Sequence, residues 1–101
     1  MTSRAWSQGA DPVAALTARY REAVLADLAE LLAACGASDH ATITRIAHRQ
    51  AGLAGSFGAE AVGEAAALID ARAASGGTVP AQAVDRLVAA MHAWLAETRL
   101  P

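Results

Sequence analysis

The sequence predicts an all-α protein, an up-down antiparallel four-helix bundle that leaves room for a short extra helix at its N-terminus. Three observations carry this reading. Apolar residues recur at three- and four-residue spacing in four successive stretches, glycine and proline punctuate the chain between them, and no period-two alternation of strand length occurs. Alanine, the strongest helix former, inflates an apolar fraction of 54%, while only 4% of the residues are aromatic. Tight helix-on-helix packing around small side chains follows, rather than a thick core.

Each element has its own signals. Asp11-Pro12 reads as an N-cap followed by proline at the first helical position. Val13, Leu16, Tyr20, Val24, Leu28, Leu31 and Cys35 then mark one long helix, or a short one feeding a long one, up to Gly36. Cys35 is in phase with Leu28, Leu31 and Leu32, so a buried structural thiol is expected; a single cysteine excludes an internal disulfide. Ser38 or Asp39 caps the second helix, whose stripe is Ile43, Ile46, Ala47, Gln50, Ala54 and Phe57 and whose stop is Gly58. Val62, Ala65, Ala66, Ile69 and Ala73 form the third, ending at Ser75-Gly76-Gly77. Thr78 to Pro80 opens the fourth, with Val84, Leu87, Val88, Met91, Leu95 and Thr98. Short connections make successive helices antiparallel. Residues 1–10 are expected to be a flexible segment, with Trp6 either packed on the bundle end or free, and 11–101 a single domain.

Composition narrows the function classes. The formal charge is −2 and all eight basic residues are arginine, with no polybasic run; this argues against a general nucleic-acid or membrane-surface binder. Every apolar stretch is interrupted by Arg, Asp or Glu before the roughly 20 residues a membrane span needs. Met1 to Gly9 lacks an apolar signal region, and a cytoplasmic location is expected. His40, His48, His92 and Cys35 show no metal-site spacing, so no metal is expected. Gly52, Gly55 and Gly58 follow no strand and match neither phosphate-binding loop. Ser56 has no base or orienting acid nearby in the chain, and Glu60 with Glu64 reads as a solvated face.

His48 is the exception. Stepping about 100° per residue, it points about 140° away from Ile43 and hence outward. One turn on lie Ala51 and Gly52, and two turns on Gly55, so the helix surface around the ring is bare. A glycine inside a helix costs roughly 1 kcal/mol relative to alanine. That cost makes sense if a second protein must approach the imidazole closely.

The run Ala47-His48-x-x-x-Gly52, with Gly58 ten residues after the histidine and an Ala-rich amphipathic helix beyond, resembles the histidine-containing phosphotransfer (HPt) domains of two-component phosphorelays. The resemblance extends over most of the chain and implies a carrier without kinase activity of its own. His48 would accept a phosphoryl group from a receiver-domain aspartyl phosphate, most naturally on Nε2, and pass it to a second receiver. The implied partners are receiver domains of hybrid histidine kinases and response regulators; Mg²⁺ would reside on the receiver and no cofactor on this chain. Two positions depart from the family pattern: Gln50 replaces an apolar core residue and Ala51 a lysine. Arg45 and Arg49 flank the histidine, and Arg45, one turn before it, is the candidate to replace the lysine's charge. Gly52 and Gly55 would give the receiver access. A helical adaptor without phosphotransfer, or a degenerate HPt-like module, is the competing reading. With no second dimer-forming hairpin evident, a monomer is expected.

Overall fold

The computed structural model describes residues 11–99. The expectations for Trp6 and for a flexible segment over residues 1–10 lie outside the described residues. Four helices follow one another: α1 (Pro12–Gly36), α2 (His40–Leu53), α3 (Glu60–Ala74) and α4 (Ala81–Glu97), with no strand among the described residues. Asp11 accepts the Val13 backbone N–H at 3.0 Å, with Pro12 in the first turn. Asp39 caps α2, accepting the Thr42 backbone N–H at 3.2 Å and its hydroxyl at 2.6 Å. Those bonds, the hydroxyl's first, favour the ionised carboxyl and lower its pKa below the ordinary value.

The second helix ends earlier than its stripe suggests. Past Leu53 the chain tightens into a 3-10 turn, Ala54–Phe57, closed by Gly58 at a left-handed φ of 73°. Gly58 donates back to Gly55 and Ala59 to Ala54, so the chain reverses in two residues. Gly63 packs against this turn: a Cβ added there would lie 3.4 Å from that of Ala54, in van der Waals contact.

The core joins Val24, Leu31, Ile46, Val62, Ile69, Leu87 and Met91 with a small aromatic cluster. Tyr20 stacks on Phe57 with centroids 4.4 Å apart and meets Trp94 edge-on at 5.0 Å, contacts of about 0.5–1.5 kcal/mol each beyond area burial. Two expectations about α1 are corrected. Val13 and Leu16 are 71% and 54% exposed, because the 25-residue α1 outruns partners of 14 to 17 residues and no helix among the described residues covers these two side chains. Cys35 is exposed as well; at the helix end Ala34 takes the inward position and the thiol is rotated to the rim, beside an exposed Leu32. Among the described residues no helix is long and apolar enough to cross a membrane.

Candidate functional site

The α2 helix carries two polar edges, one toward α3 and one toward α1. His48 stands on the first, its side chain 77% exposed, with Nδ1 2.9 Å from Oδ1 of Asp70 on α3. An ionised carboxylate only accepts hydrogen bonds. With a neutral ring, the contact therefore requires the proton on Nδ1 and leaves the lone pair on Nε2, which makes no hydrogen bond to the described residues. The result is an outward nucleophilic nitrogen on a ring whose orientation a second helix controls.

The surface beside it is open. A Cβ added at Gly52 or Gly55 would meet nothing within 4 Å, so packing does not demand glycine at either position. Gly52 lies in the last turn of α2, whereas Gly55 belongs to the 3-10 turn rather than to a continuing helix. Ala51 is partly buried and packs against the core. His48, Gly52 and Gly55 are each exposed.

The two arginines do not join them. Arg45 pairs with Glu30 of α1, and Arg49 grips Asp27 of α1 through Nε at 3.2 Å and through its terminal nitrogen. Both guanidinium groups are drawn to the α1 edge because that edge carries carboxylates in step with them. Asp27 is buried, and Gln50 donates to its Oδ2 at 2.8 Å while accepting the Tyr20 hydroxyl at 2.5 Å. Gln50 therefore remains a core residue at 1% exposure, held by polar partners in place of the expected apolar contact. Burial and the Asp27 charge push the Tyr20 phenol up to about 12.

Asp70, Glu30 and Asp27 are the functional candidates that one-helix geometry misses. Among the described residues no three His, Cys, Asp or Glu side chains gather as a metal-holding group. The chemistry on offer is an oriented, exposed imidazole on a bare face, suited to exchanging a group with another macromolecule rather than enclosing a small substrate. Comparison with known proteins agrees in kind: residues 10–99 match the family model of the Hpt domain. No curated protein and no solved structure gives a match.

Proposed function

Because the chain belongs to the Hpt domain family, whose members transfer phosphoryl groups through histidine in phosphorelays, we propose that His48 is the phosphoryl acceptor and donor. The observation that carries this is the His48–Asp70 bond, which points Nε2 away from the bundle. In the forward step the Nε2 lone pair attacks the phosphorus of a receiver's aspartyl phosphate. The P–N bond forms, the P–O bond breaks, and its electron pair stays on the receiver carboxylate. The Nδ1 proton remains in its hydrogen bond, where the Asp70 charge offsets the positive ring. Return to a second receiver reverses these changes.

The open face at Gly52 and Gly55 lets a receiver bring its aspartate to the ring, and positioning with charge neutralisation supplies most of such a reaction's acceleration. The Mg²⁺ of that reaction belongs to the receiver. On this reading the chain is a cytoplasmic, monomeric carrier without kinase activity, working between hybrid-kinase receivers and response regulators. A phosphate-independent adaptor has in its favour that Arg45 and Arg49 are both engaged by α1 carboxylates. Mixing the protein with phosphorylated receiver domains separates the readings. Label that moves to this chain and is lost in acid but not in base supports the carrier; a chain that binds receivers without acquiring label supports the adaptor.

A further inference from the structure

The phosphocarrier reading leaves one charge unaccounted for. A phosphoryl group on Nε2 brings nearly two negative charges, and at position 51 this chain has alanine. Two arginines are near in the chain, and the structure distinguishes them. Arg49 holds the buried Asp27 with two bonds, so leaving would strand a carboxylate that is 4% exposed. Arg45 and Glu30 are half exposed, with side chains at 49% and 46%. An ion pair that open to water is weak and screened by salt. Arg45 also precedes His48 by three residues, which puts the two side chains on neighbouring rows of one helix surface.

We infer that Glu30 is a positioning residue that tunes the phosphohistidine by competing for Arg45; the inference rests on His48 being the phosphoryl carrier. Before transfer, Glu30 keeps the guanidinium on the α1 edge, leaving the approach to Nε2 clear. After transfer, Arg45 partitions between one carboxylate and a more highly charged phosphoryl group. The time it spends on Glu30 keeps the phosphohistidine less stabilised than a dedicated cation would, and readier to give its phosphoryl group away. No proton or bond changes in this exchange, only the partner of one guanidinium.

Phosphoramidate tests this without a receiver. The Nε2 lone pair takes its phosphoryl group as the P–N bond to the ammonia nitrogen breaks, and ammonia leaves. The labelled protein is followed by ³¹P NMR for lifetime and for the pH at which the phosphoryl resonance titrates. Glu30→Gln, close in shape but uncharged, is expected to lengthen the lifetime about two- to fivefold, the scale of an exposed pair, and to move the titration to lower pH. Arg45→Ala should shorten the lifetime, and the Glu30→Gln/Arg45→Ala double variant should match Arg45→Ala alone. Arg45→Lys with Glu30→Gln should retain part of the gain. A lifetime unchanged by Glu30→Gln, or a Glu30→Gln effect that persists without Arg45, overturns the inference while leaving the carrier reading intact. Failure of the wild-type chain to label at His48 overturns both.

Discussion

Nδ1 of His48 and Oδ1 of Asp70 meet at 2.9 Å across the seam between α2 and α3, so the exposed nucleophile is oriented from outside its own helix. The carboxylate, on the neighbouring helix, is near enough to hold the ring proton. In the proposed phosphotransfer it would select which nitrogen is free and steady the positive ring that forms when that nitrogen is phosphorylated. The same carboxylate–imidazole logic orients histidine in other group-transfer sites.

Asp70→Asn keeps the shape of this contact and removes its charge. Transfer from a phosphorylated receiver is expected to slow about tenfold, or ~1.4 kcal/mol in the barrier, while the receiver's affinity stays within a factor of about two. Rapid-quench kinetics at several receiver concentrations separate the two effects. A wild-type rate at saturation would remove Asp70 from the mechanism.

Gly52 is expected to matter for access alone. Gly52→Gln adds a side chain where the fold has open space, so it should raise stability by about 0.5–1 kcal/mol through helix propensity. Receiver binding should weaken at the same time. Urea titration and calorimetric binding check the pair of outcomes, and unchanged affinity would contradict the docking face assigned here.

Much of the fold is legible in the sequence because the bundle is built from local signals: the Asp11 and Asp39 caps, the Gly58 stop, and stripes that recur in buried Val24, Ile46, Val62 and Leu87. Exposure of His48 follows from one helix alone. Its partners do not, since they depend on which residues the turns bring opposite. They become readable once each hairpin is folded about its turn: His48 and Asp70 both lie 11 residues from Ala59. Arg45 and Glu30 likewise lie symmetrically about the Ala37–Ser38 bond. Val13 and Leu16 misled because periodicity reports the inward direction, not whether a described helix is long enough to be there, and Cys35 because Ala34 takes the inward position at the helix end.

The buried Tyr20–Gln50–Asp27 chain is expected to be costly to break on one side only. Gln50→Leu restores the apolar residue of the family pattern but strands the Tyr20 hydroxyl and takes a donor from Asp27. A loss of about 2 kcal/mol is expected. Adding Tyr20→Phe should return part of it in urea denaturation. Full stability of Gln50→Leu would mean that water replaces both bonds.

Alkaline stability should report the same phenol. Tyr20 is raised from 10.0 to about 12 in the fold, so above pH 10 the unfolded chain releases a proton that the native one retains. The stabilising contribution is complete below pH 10 and is lost as pH rises through about 12. Unfolding midpoints measured from pH 9 upward should fall more steeply for wild type than for Tyr20→Phe. Parallel curves would show that the phenol does not feel its burial.

Whether Nε2 of His48 carries the phosphoryl group is read from ³¹P-coupled ¹H–¹⁵N spectroscopy of the phosphorylated, ¹⁵N-labelled protein, with His48→Gln as the control. The expected result is a phosphorus coupling to Nε2 of His48, and no label on His48→Gln although its circular dichroism and melting temperature match wild type. A coupling to Nδ1, or label that persists on the folded His48→Gln protein, would contradict the account.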